Sequence, residues 1–497
     1  MNLYKAGLKN TLYNYLGLIF SVVFSFLVVV ILSRNLSVEE FGIYNILLSF
    51  LAYISVVSSL GMPHVLRRYI PQFYEQGSYS AVKRSLSYVL ALRFITSFIC
   101  AVLCLVFIEP LSQLLKVSQL SQFFFLFSFA MLVVVQVQSL EVALEAMLLH
   151  KSTNIIKAAY AMLQFLLYFY AIRSGYGLKG IILVYLVVNI LLFIAYLFVC
   201  KSKIFTLPQD KVPDGVPYKR IRSYALFNWF TNATYIIFDF KTDFFIISFF
   251  LGSSFVGLYS FATSTITQIY RLLPITIAAT VLFPIMVRKY SRSKDKEELQ
   301  YLFRLYNKMV FFFGFPLAIG VLVLGDKIIS YVFDPKYLGV VNLFRFIAFA
   351  QVINMFSTAL AYFVKILEKV HYALWARVFV IYNIAMEIIL LKFFGLMGVA
   401  FATGTAWLFN SIFVFFLLRR DIVLIYPGKS FMQIAVNSIL MGIVLFLCRG
   451  LAYNIWGLAL LAIAGVVFYL TANCFNRAFE ARDLQVFNKM AGAQIFK

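Results

Sequence analysis

Residues Phe41–Met62 read FGIYNILLSFLAYISVVSSLGM, a run with no charged side chain. A helix needs about 20 mostly apolar residues to cross the hydrocarbon core of a bilayer. The apolar positions here are continuous and do not alternate. Backbone in lipid must satisfy its own hydrogen bonds, so the run reads as a spanning helix and not as a barrel strand. Runs of the same kind recur from one end of the chain to the other. They give it a mean hydropathy of +0.91, with 63% hydrophobic and 13% charged residues, where soluble domains carry about a quarter charged residues. The expected fold class is therefore an all-α polytopic membrane protein. The first run, 11–32, is longer than a signal-peptide core and is followed by Ser33-Arg34-Asn35. It is expected to remain as a helix.

The same ruler marks about fourteen transmembrane helices. The first seven lie near 11–32, 42–62, 86–108, 122–144, 155–173, 177–200 and 224–250. The others lie near 256–287, 309–332, 338–364, 373–393, 395–418, 431–449 and 455–473. If the N-terminus is cytoplasmic, 31 of the 43 Lys and Arg residues fall in inner segments, eight in outer loops and four within helices. The positive-inside rule then places both termini in the cytoplasm. The net charge of +23 is spread over short connections and not gathered on a stripe or tail. It is a topology signal, and nucleic acid is not an expected partner.

Two motifs recur at nearly one spacing. Phe41-Gly42-Ile43-Tyr44 returns as Val256-Gly257-Leu258-Tyr259 at a lag of 215, and Gly177-Leu178-Lys179-Gly180 returns as Gly395-Leu396-Met397-Gly398 at a lag of 218. Pro71 with Pro284 and Lys151 with Lys369 agree. Such lags point to two six-helix lobes, related by a pseudo-two-fold axis along the membrane normal, plus two C-terminal helices. The expected organisation is a first lobe at 1–200, a cytoplasmic linker at 201–223, a second lobe at 224–418, the last two helices at 431–473 and a cytoplasmic tail at 474–497.

The stretches LSRNLSVEEFGIYNILLS (Leu32–Ser49) and SLGMPHVLRRYIPQFYEQG (Ser59–Gly77) resemble the polysaccharide transporters of the multidrug/oligosaccharidyl-lipid/polysaccharide exporter superfamily. FDFKTDFFIISFFLGSSFVGLYSFA resembles them too, with Asp243 at that family's recurrent acidic position, fourteen residues before Gly257. Members include O-antigen and exopolysaccharide flippases. The resemblance implies a flippase, not an enzyme, in the bacterial inner membrane. It would move an undecaprenyl-diphosphate-linked oligosaccharide by alternating access, with polysaccharide assembly proteins as further partners. A cation-coupled multidrug exporter of the same superfamily is the alternative. A membrane glycan polymerase or ligase fits less well, because none of the short outer loops could form an outer domain.

Charges at membrane depth cost at least about 2.5 to 3.5 kcal/mol and are functional candidates. Arg93 lies about two turns inside the third span, where it either snorkels to the interface or contacts substrate. Arg271 lies about 22 Å along the eighth span from Val256, with no acidic residue one turn away and with Pro274 expected to break the helix beside it. It suits a diphosphate, or else an ion pair with another helix. Asp239, Lys241 and Asp243 fall in the seventh span, with the two carboxylates expected at i and i+4 on one face. Arg345 and Glu387 sit at similar outer depth. These five either form a self-neutralising network or include a carboxylate, among Asp243, Asp239 and Glu387, that couples transport to H⁺ or Na⁺, with Lys241 and Arg345 as further substrate-binding candidates. Glu141 and Glu145 read as a solvated helix end. No other cofactor is expected: His64, His150 and His371 lack metal-ligand spacing, no phosphate-binding glycine loop with its Lys is present, and the five cysteines form no metal or disulfide pattern.

Overall fold

The computed structural model describes residues 3–208, 218–275, 286, 290, 295–476, 478–480 and 482–483, and among these residues all regular structure is helical. Contacts divide the chain into two compact units, residues 1–260 and 261–497.

In the first unit α1 (Leu3–Asn35) leads to α2 (Val38–Val57), whose start is fixed by a capping box. Ser37 Oγ accepts from the Glu40 amide at 3.1 Å, and a Glu40 carboxylate oxygen accepts from the Ser37 amide at 2.8 Å. A short helix, α3 (Met62–Glu75), follows. It buries Val65, Leu66, Tyr69, Ile70 and Phe73 while Arg67 and Arg68 stay exposed, the 3–4 spacing of an amphipathic helix. Then come α4 (Tyr79–Val106), α5 (Ile108–Leu114), α6 (Leu120–Ala146), α7 (His150–Arg173) and α8 (Gly177–Cys200). The expected seventh span is two helices, α9 (Tyr218–Ile236) and α10 (Phe240–Leu251), and α11 (Ser253–Arg271) runs into the second unit.

That unit continues with α12 (Lys296–Val332), α13 (Val341–Ile366), α14 (Val370–Trp375), α15 (Val378–Leu418), α16 (Gly428–Leu447) and α17 (Ile455–Asn476). Among the described residues ten helical stretches are long and apolar enough to cross a membrane, and one of them, His371–Leu418, covers two of the expected spans. Leu460, Ile463 and Val467 of α17 are 58–69% exposed. Large apolar side chains turned outward are what a lipid-facing helix carries. The chain is a multi-pass membrane protein. Residues 276–285 and 287 of the expected 256–287 span lie outside the described residues, as do 209–217 of the linker and most of the tail (484–497).

The repeated glycines explain themselves in this structure. A Cβ at Gly42 would lie 2.0 Å from the Ser253 carbonyl oxygen, and one at Gly257 would lie 1.9 Å from that of Val38. Each glycine is therefore pressed against the first residue of the other helix. Both pairs, 42 with 257 and 38 with 253, are 215 apart, so the crossing of α2 and α11 is reciprocal, as a two-fold relation makes it. The second motif behaves alike: Gly177 and Gly395 have φ of 51° and 57°, left-handed values that favour glycine. One opens α8 and the other breaks α15. Pro284 of the weaker pair lies outside the described residues.

Candidate functional site

Arg93 does not snorkel. It is 1% exposed and turned inward. Its Nη1 donates to the Val135 carbonyl at 3.1 Å and to Ser139 Oγ at 2.9 Å, and its Nη2 donates to the Ser55 carbonyl at 3.2 Å and to Gln138 Oε1 at 3.3 Å. All four acceptors are neutral, and the guanidinium ties α4 to α2 and α6. Snorkelling fails because Arg93 sits on the buried face of α4 with Val89 and Ser97.

Asp239 and Asp243 do not share a helical face. Asp239 is the exposed N-cap of α10, with φ −86° and ψ 148°, and its Oδ1 accepts from the Lys241 amide at 3.1 Å. The cap geometry takes residue 239 out of the helix, which cancels the i, i+4 relation. Asp243 is fully buried, and Tyr259, the tyrosine of the repeated motif, donates its hydroxyl to Oδ2 at 2.6 Å. Lys241 Nζ lies 5.0 Å from the centre of the Phe244 ring.

In the second unit Glu387, Asn383 and Thr403 are all fully buried. The Asn383 amide and the Thr403 hydroxyl, the latter at 3.3 Å, donate to Glu387 Oε1. Asn383 Oδ1 is buried with no hydrogen-bond partner among the described residues. A carboxylate, an amide oxygen and a hydroxyl are hard donors of the kind that bind H⁺ or Na⁺. Arg345 is placed elsewhere, 3.7 Å from Asp326, a carboxylate that also holds Arg449 at 2.5 Å. Asp326 escaped the sequence reading, although a lone acid near the outer end of an apolar run, at the depth of Arg345 and Arg449, was a usable signal.

Arg271 is exposed at the last residue of α11, where a cation suits the negative end of the helix dipole. The helix stops there and helical backbone resumes at Pro274, the break its proline leads one to expect. Glu141 and Glu145 are not merely solvated: both pair with Lys157, at 2.6 and 3.2 Å. Among the described residues no three His, Cys, Asp or Glu side chains are grouped to hold a metal.

The profile of the family described as "Polysaccharide biosynthesis protein" matches residues 31–342. An uncharacterized membrane protein of Methanocaldococcus jannaschii is 21% identical, over 94% of each chain. Among solved structures, the lipid II flippase MurJ in an inward closed conformation is similar with a TM-score of 0.72 and 17% identity, covering 95% of this chain and 99% of that one. An inward-facing multidrug resistance transporter of the MATE family, in the MOP superfamily, has a TM-score of 0.66 at 14% identity, covering 81% and 94%. These likenesses show the fold.

Proposed function

As a chain that belongs to the polysaccharide biosynthesis protein family, within the multidrug/oligosaccharidyl-lipid/polysaccharide exporter superfamily, this protein is, we propose, a flippase that moves a lipid-diphosphate-linked oligosaccharide across the cytoplasmic membrane by alternating access. The observation that carries this reading is a fold shared along 95% of the chain with a lipid flippase, in a family defined by polysaccharide biosynthesis. The undecaprenyl carrier, an O-antigen or exopolysaccharide repeat as the glycan, cytoplasmic termini and help from polysaccharide assembly proteins belong to the same proposal.

Arg271 is assigned to the diphosphate. The other three cations proposed for substrate are Arg93, which holds four neutral acceptors, Arg345 beside Asp326 and Lys241 beside the Phe244 ring. A guanidinium at a broken helix end offers two parallel donors to phosphate oxygens. Coupling to H⁺ or Na⁺ is assigned to Glu387 and Asp243. Asp239, spent on its helix cap, is the weakest of the three ion-coupling candidates. The test is flipping of a fluorescent lipid-diphosphate oligosaccharide in proteoliposomes. Arg271→Ala should abolish it and Arg271→Lys should leave it partial, because the charge stays and the fork is lost. Glu387→Gln should remove the dependence on an imposed ion gradient. Normal flipping by Arg271→Ala at normal insertion would reject the assignment, and ethidium export by a chain that moves no lipid would favour the multidrug alternative.

A further inference from the structure

We propose that the first unit carries a reception site for a doubly charged lipid phosphate head, distinct from Arg271, at the end where α3, α4 and α9 begin. A cavity of about 410 Å³ opens there, walled by Met62, Val65 and Phe73 of α3, by Arg84 and Tyr88 of α4 and by Arg222 of α9. Arg84 and Tyr88 are four residues apart and share a helical face. Three neighbouring cations are already engaged. Arg67 pairs with Glu145 at 3.6 Å, Arg68 lies 4.6 Å from the centre of the Tyr224 ring, and Lys83 donates to the Leu207 carbonyl at 2.5 Å. Among the described residues Arg84 and Arg222, both exposed, have neither an ion pair nor a side-chain hydrogen bond, and no acid lines the cavity.

Two open guanidinium groups beside an apolar wall match a ligand with two negative charges and a hydrocarbon chain. A phosphate monoester or diphosphate offers the charge and the planar oxygen pairs that arginine grips bidentately, whereas a phosphodiester carries one charge. The site deepens the transport reading, because it gives the carrier lipid a place to dock on the end that the basic-residue count assigns to the cytoplasm. Binding is measured apart from transport, so the two readings fail separately.

The full chain in phosphatidylcholine nanodiscs is offered phosphatidic acid, phosphatidylglycerol or inorganic pyrophosphate, and retained ligand is read by native mass spectrometry. Phosphatidic acid should be retained over phosphatidylglycerol, and pyrophosphate should not displace it. Arg84→Gln with Arg222→Gln should weaken retention by about tenfold or more, the loss of one to two charge-assisted bonds. The double Lys variant should fall between, and Arg67→Gln should match the parent chain. Equal retention of the two phospholipids, displacement by pyrophosphate, or an unaffected Gln pair in a chain that elutes as the parent does would each overturn the proposal.

Discussion

Lys308 and Asp483 meet at 2.6 Å with both side chains 3–4% exposed. Tyr301 donates to the other carboxylate oxygen at 3.0 Å, and the Glu480 amide adds a bond at 3.1 Å. Removing one partner strands a buried charge, so Lys308→Met should cost about 3 to 5 kcal/mol. Lys308→Met with Asp483→Leu should recover most of it, as thermal unfolding in detergent will show. An additive double variant would mean that the pair is not coupled. Nothing in the sequence announced this contact, because its members are 175 residues apart and each lies in a basic or mixed segment. The Arg345–Asp326 contact was missed although both residues border apolar runs, because the sequence does not show which acid a given cation meets. Arg93 was visible as a candidate, since a charge in an apolar run stands out, but its four neutral acceptors lie on two other helices and carry no local spacing.

At the scale of the element, glycine was the most legible residue. The lags of 215 and 218 were read from four-residue motifs, and the structure turns both into geometry: a reciprocal crossing of α2 with α11, and a matched pair of left-handed glycines. Gly42→Ala and Gly257→Ala should each destabilise by about 1 to 3 kcal/mol through overpacking. Because both substitutions open one crossing, the double variant should cost less than their sum. Thermal unfolding of the three variants decides it, and a fully additive pair would refute the shared contact. The break between α9 and α10 was not legible, because a hydropathy window averages over Asp239. The usable signal was an aspartate that could cap a helix, followed by Phe240 and a long apolar run.

For the whole molecule, the bias of basic residues carries a direct expectation: a cysteine at Lys429 should be protected from impermeant reagents in intact cells, and one at Lys336 should react. The reverse pattern would overturn the orientation. The architecture was largely readable because hydropathy is a property of long windows. The grouping of residues 218–260 with the first unit was not, since it depends on contacts between segments far apart in the chain. Trp229 Nε1 donates to the Val56 and Val57 carbonyls, both at 3.1 Å, Tyr53 and Thr242 share a hydroxyl bond of 2.5 Å, and the Phe50 and Phe245 ring centres are 4.9 Å apart. Every one of these contacts joins α2 to residues made much later. A ribosome adding about 5 to 20 residues per second needs on the order of 10 to 40 seconds to go from Val57 to Ser253. For that interval α2 sits in the bilayer without its partners, its polar groups and the bare face of Gly42 open to lipid or to whatever machinery holds nascent helices. The protein is thus born with an obligatory waiting state, and the glycine crossing is where that wait ends.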